Sequence, residues 1–161
     1  MLRQLWRLSR NLEIEGKPMS APAIYAEYHG RAWHVEQARE SGYEGVACVD
    51  DAARLSVLLL RAYERYGLPW ALVWARANLE FVLYLQQPDG NFVNFILDWQ
   101  GHPNTTGPTS RPGGTPWLAR ALWALATAYR VTGESRYMER YEAALSILPE
   151  DIDHADILAG V

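Results

Sequence analysis

The sequence predicts an all-α chain of helical hairpins in two concentric layers, and three observations carry that reading. First, a shift of 66 residues superposes Ala53-Arg54 on Ala119-Arg120, Leu59 on Leu125, Ala62-Tyr63 on Ala128-Tyr129, Gly67 on Gly133, Ala77 on Ala143 and Leu79 on Leu145. A period of this length marks a repeated pair of helices. Second, each copy is an apolar helix closed by a glycine, the residue suited to a left-handed C′ position, followed by a helix running back. Third, the leading helices are apolar nearly all round, with Arg120 the only charge between Trp117 and Tyr129. The return helices carry Arg76, Glu80, Glu139, Arg140 and Glu142. A helix apolar on every side belongs inside and one with a wet face belongs outside. Residues 52–66 and 116–130 are therefore expected inside, and 70–87 and 135–147 outside.

Concentric hairpins of this kind describe part of an α/α toroid, read as one domain over 1–161. Residues 1–23 form an N-terminal helix and linker, 24–148 the hairpin repeats, and 149–161 a C-terminal segment. Leu2, Leu5, Trp6 and Leu8, with Arg3, Arg7 and Arg10 between them, read as an amphipathic helix ending near Gly16-Lys17-Pro18. A Pro-bounded linker follows to Pro22. The aromatic and charged run Ile24 to Tyr28 fits a helix turn and a strand equally. The return helix of the first copy begins at Pro69-Trp70 and that of the second at Glu134-Ser135. Between the copies runs an irregular stretch, Pro88 to Gly114, in which Pro88-Asp-Gly-Asn is a turn and Phe92 to Ile96 a short strand. Thr115 and Pro116 suit a helix start.

Composition narrows the function. The chain has 161 residues, 49% of them hydrophobic, and a formal net charge of −4. It is expected to fold, and it lacks the Lys/Arg cluster that binding to a phosphate backbone requires, so nucleic acid is excluded as a partner. Cys48, the single cysteine, excludes an internal disulfide and a thiolate metal cage. No apolar run suits a signal peptide or a membrane span, so the expectation is a cytoplasmic protein without membrane contact.

Polarity concentrates at Asp50 and Asp51, side by side at the start of an apolar helix, where carboxylates meet free N–H groups and the positive end of the helix dipole. One Asp suffices to cap, which leaves the other for chemistry. Arg54 and Arg120 occupy equivalent places in the repeat, one turn into apolar helices, so both should face Asp50 or Asp51. The 88–114 stretch leads to the same end and can deliver Asp89, Asn94, Asp98, Trp99, His102 and Arg111. Paired carboxylates suit glycoside hydrolysis, in which one acts as acid and the other as base or nucleophile. The expected catalytic residues are Asp50, Asp51 and Asp89. The expected substrate-binding residues are Arg54, Arg120, Asn94, Trp99 and Glu27, with Glu44 and Asp98 as further possible acids. No cofactor is expected and no metal: His29 and His34, five apart, do not share a helix face. The acids of Pro149 to Asp156 lack the Gly and distal Glu of a calcium loop, and charge beside Cys48 disfavours a thiolate nucleophile.

Val49-Asp-Asp-Ala-Ala-Arg54, Gln86-Gln-Pro-Asp-Gly-Asn-Phe92 with Asn94-Phe95, and Arg120-Ala-Leu-Trp-Ala-Leu125 resemble the motif series of bacterial α/α-toroid domains, the six-hairpin glycosidase-like group. The resemblance covers about residues 24–145. It implies a toroid cut to about half its hairpins, a saccharide or other small-molecule ligand, and a homodimer that covers the exposed flanks. Gln86-x-x-x-Gly90-x-Phe92 also resembles the Gln-Trp repeat of terpenoid-cyclase toroids, in which it implies a structural tightening of outer-helix ends. Magnesium-diphosphate chemistry is disfavoured, because Arg54 stands where the third carboxylate of an Asp-Asp-x-x-Asp motif belongs. The function expected is that of a carbohydrate-active protein, a glycoside hydrolase acting through paired carboxylates. Its alternative is a non-catalytic toroid module that binds a glycan or a protein.

Overall fold

The structure, a computed structural model, describes residues 2–36, 43–113 and 115–148. The acidic segment 149–156 considered above lies outside the described residues. Among the described residues there are five helices and six strands, the strands forming three two-stranded antiparallel sheets. The all-α expectation is therefore overturned: the fold is mixed α and β.

The first departure is at the N-terminus. Helix α1 is short, Leu2–Leu8, and the chain then extends as β1, Ser9–Ile14, paired with β2, Lys17–Pro22. Glu15 and Gly16 both have positive φ, 54° and 73°, the signature of a two-residue hairpin turn whose twist matches that of the strands. The period of two was present in β1, which buries Leu12 and Ile14, whereas β2 buries Met19 through Pro22 without a break. The helix expected to run to Gly16 gives way to this alternation. Two smaller ladders follow, β3 (Ala26–Tyr28) with β4 (Trp33–Val35), and β5 (Ala47–Cys48) with β6 (Phe95–Ile96).

The repeat forms two helical hairpins. Helix α2 spans Val49–Tyr66 and α3 Pro69–Tyr84, while α4 spans Thr115–Thr132 and α5 Ser135–Leu145. The 66-residue shift carries the bounds of α2 onto those of α4. Gly67 and Gly133 adopt the left-handed conformation, and their N–H groups close the preceding helices onto the Tyr63 and Tyr129 carbonyls. Helices α2 and α4 lie parallel and level: Arg54 and Arg120 meet Asp50 at one end, and Arg130 pairs with Glu64 at the other.

The two-layer expectation holds less well for individual helices. Helix α4 is buried along most of its length, but α2 is amphipathic and exposes Arg54, Leu58, Arg61 and Arg65. Helix α3, expected outside, buries Trp74, Ala75, Asn78, Leu79, Phe81 and Val82. The cause is the N-terminal hairpin: β2 packs chiefly on α3 while also touching α2, and the Trp6 ring stands edge-on to Trp74 at 5.0 Å. No helix among the described residues is long and apolar enough to cross a membrane.

Candidate functional site

The start of α2 is placed by a β-ladder and a folded loop. Strand β5 runs directly into the helix, and β6, which lies within the long loop, pairs with β5. Asn94 fixes the junction: its carbonyl accepts from Val49 N–H at 2.8 Å and its Oδ1 from Asp50 N–H at 3.3 Å. Its Nδ2 donates to the Thr109 carbonyl at 3.1 Å. The buried Ser110 ties the loop in again, accepting from Asn94 N–H through its carbonyl and from Phe95 N–H through Oγ at 2.9 Å. Glu44 Oε2 accepts from Thr109 N–H at 2.9 Å, and Asn104 Nδ2 donates to the Glu44 carbonyl. Ser110 and Asn104 were not singled out from the sequence. Short polar residues in a Pro/Gly/Thr-rich stretch read as generic turn formers, and only the fold shows what they close.

Cys48, not an aspartate, caps α2: its sulfur accepts from Asp51 N–H at 3.5 Å. Burial and then Asp51 push the Cys48 thiol well above its ordinary range, so it is a packed cap and not a nucleophile. Both aspartates are thereby released to sit in the first turn. Arg54 Nη2 donates to Asp50 Oδ2 at 2.9 Å and to Asp51 Oδ1 at 3.1 Å, and Arg120 Nε lies 3.6 Å from Asp50 Oδ1. That oxygen is buried and takes no hydrogen bond among the described residues. Burial raises the Asp50 carboxyl above its ordinary value, with Arg54 and Arg120 opposing the shift and Asp51 adding to it. Of these four residues, Asp51 and Arg54 line an open cleft of about 340 Å³ whose apolar wall is Leu5, Pro22, Ala23, Leu55 and Leu58.

The sign of the Asp50 shift sets a pH dependence. A carboxyl whose folded value is raised binds more protons in the folded state, between the ordinary value of 3.8 and the raised one. Ionised Asp50 therefore weakens the fold. Relative to Asp50→Asn, the unsubstituted protein is expected to gain stability as pH falls through that window. Urea titrations at a series of pH values check it, and parallel curves for the two proteins would refute it.

The other expected site residues stand apart from this cluster. Asp89 is exposed and accepts from Asn91, whose backbone and side-chain N–H groups hold the carboxyl below its usual range. Asp98 accepts from His102 Nδ1 at 2.8 Å; burial pushes its carboxyl up, but the His102 bonds outweigh that and leave it low. Trp99 is half-buried against the core. Arg111 is exposed. Glu27 lies on β3 and accepts from the Tyr25 hydroxyl. No contact among the described residues joins Glu27 or Asp89 to Asp50.

No family model matches the chain, and no curated protein matches it. A solved structure described as a sugar epimerase from a ruminal bacterium resembles it with a TM-score of 0.54 at 21% identity. The likeness is one of fold. It covers 64% of this chain and 25% of that one, so the chain spans about a quarter of the solved chain it matches.

Proposed function

We propose that the chain is the saccharide-binding part of a carbohydrate-active protein, with its two helical hairpins as its share of a toroid. The observation that carries this is the shared guanidinium of Arg54, held between Asp50 and Asp51 on the rim of the cleft against α1 and β2. Carboxylates and a fixed guanidinium offer acceptors and donors to vicinal hydroxyl groups, and the aliphatic wall offers a face for C–H groups. The likeness to a sugar epimerase supports a carbohydrate ligand. Glycoside hydrolysis is a second reading, favoured by the raised carboxyl of Asp50, which suits a proton donor. It requires a second carboxylate about 5–10 Å away across the bond. Glu44, anchored on Thr109 N–H, is the carboxylate the loop brings toward this end.

Calorimetric titration with a panel of mono- and disaccharides, followed by product analysis, tests the proposal. Binding is expected, weakened at least about tenfold, or about 1.4 kcal/mol, by Asp51→Asn and by Arg54→Ala. New reducing ends would favour hydrolysis, a new epimer would favour epimerisation, and binding without products would favour a module. No binding to any sugar, or binding indifferent to both substitutions, would overturn the proposal.

A further inference from the structure

The β3–β4 hairpin gathers a donor set that judging the His29–His34 spacing by helix geometry alone concealed. Glu27 stands directly across from His34 in the ladder, and Tyr28 across from Trp33. The pairing continues outward through Glu36 N–H to the Tyr25 carbonyl at 3.3 Å, and inward through His29 N–H to the Ala32 carbonyl at 3.0 Å. Side chains alternate along a strand. Tyr25, Glu27, His29, His34 and Glu36 therefore share one face, while Tyr28 and Trp33 meet on the other with tilted rings, 5.6 Å between centroids. A spacing of five that separates two histidines on a helix brings them together across a tight turn. Their rings meet edge to face at 5.1 Å.

We propose that this face is a binding site for a divalent transition cation of the zinc class, with Glu27, His29 and Glu36 as ligands and His34 beside them. One donor atom from each of Glu27, His29 and Glu36 lies within 4.8 Å of the other two. His29 Nε2 is 3.3 Å from Glu36 Oε1 and 4.0 Å from Glu27 Oε2. Ligands about 2.1 Å from a tetrahedral zinc stand about 3.4 Å from one another, so the first distance fits and the second closes with a small side-chain rotation. Glu27 is already oriented: its Oε1 accepts from the Tyr25 hydroxyl at 2.9 Å, the outer-sphere bond that aims a ligating carboxylate and leaves Oε2 for the ion. Imidazole nitrogen mixed with carboxylate oxygen favours zinc, cobalt, nickel or copper over magnesium and calcium, which prefer all-oxygen shells. Without a cation the same atoms face one another directly, His29 Nε2 between the two carboxylates.

The test is a titration of untagged, chelator-stripped full chain with Zn²⁺ against a chromophoric chelator, and with Co²⁺ read by its visible d–d bands. One equivalent is expected to bind at micromolar strength, with tetrahedral Co²⁺ absorption. His29→Ala and Glu36→Gln are expected to weaken Zn²⁺ at least tenfold with an unchanged circular dichroism spectrum, and His34→Ala by a smaller factor. His102→Ala, which removes the partner of Asp98 elsewhere on the surface, is expected to leave binding intact. No saturable binding, binding indifferent to His29→Ala and Glu36→Gln, or binding lost in His102→Ala would overturn the proposal.

Discussion

Replacing Gly90 with alanine is expected to destabilise the protein by about 2–6 kcal/mol, a sum of backbone strain of about 1–3 and overpacking of about 1–3. Gly90 has a φ of +97°, and a Cβ there would stand 2.1 Å from the Ala143 carbonyl oxygen. That oxygen belongs to the backbone of α5, so relief requires a whole helix end to move. The neighbouring Gln86 holds the same junction, its Nε2 donating to the Arg140 carbonyl at 2.9 Å. The turn after α3 is thus seated on the last turns of α5 by a close approach and a side-chain bond. A urea melt reads the result as a shifted midpoint at unchanged slope. A loss below about 1 kcal/mol would mean that the turn does not rest on α5 in solution.

The second large effect is expected at Tyr137, whose side chain is fully buried on α5. Tyr137→Ala should cost about 3–5 kcal/mol, as aromatic truncations in cores do. Tyr137→Phe isolates the hydroxyl, which accepts from Arg136 Nη2 at 2.6 Å, and should cost about 0.5–1.5 kcal/mol. The difference arises because Arg136 keeps other partners, pairing with Glu80 on α3 and with Glu134 at 3.0 Å. Thermal unfolding of both variants separates the ring from its oxygen. Equal losses would place the energy in the ion network and not in the packing.

What the sequence made legible was whatever repeats or punctuates. Two glycines in left-handed conformations and a second copy 66 residues on placed four helices to within three residues, because a C′ glycine stops a helix for local reasons. The N-terminal hairpin was less legible. Arg3, Arg7 and Arg10 continue a helical spacing past Leu8, and a four-residue alternation from Asn11 to Ile14 is too short to compete with it until β2 pairs alongside. At the site, the Arg54 and Arg120 positions followed from the repeat, and the structure brings both to Asp50. The cap did not follow. Ser, Thr, Asn and Asp are the usual cap residues, so a cysteine two positions ahead of two aspartates read as packing alone. The donor face of the β3–β4 hairpin was lost for a related reason, since its spacing was judged on a helix and formed on strands.

The Glu64–Arg130 pair bears on how such a chain avoids assembling wrongly. These residues hold the same place in the two copies of the repeat, and one is an acid where the other is a base. Helices from two copies of one repeat that pack side by side can trade places, within a chain or between chains. Were a second α2 to lie where α4 belongs, Glu64 would face Glu64, and two α4 helices would set Arg130 against Arg130. Either exchange swaps an attraction for a repulsion at the end of the helix farthest from Asp50. Duplication supplies an interface that fits itself, and a single inverted charge gives that interface a direction, so that the first copy recognises the second in preference to its own double.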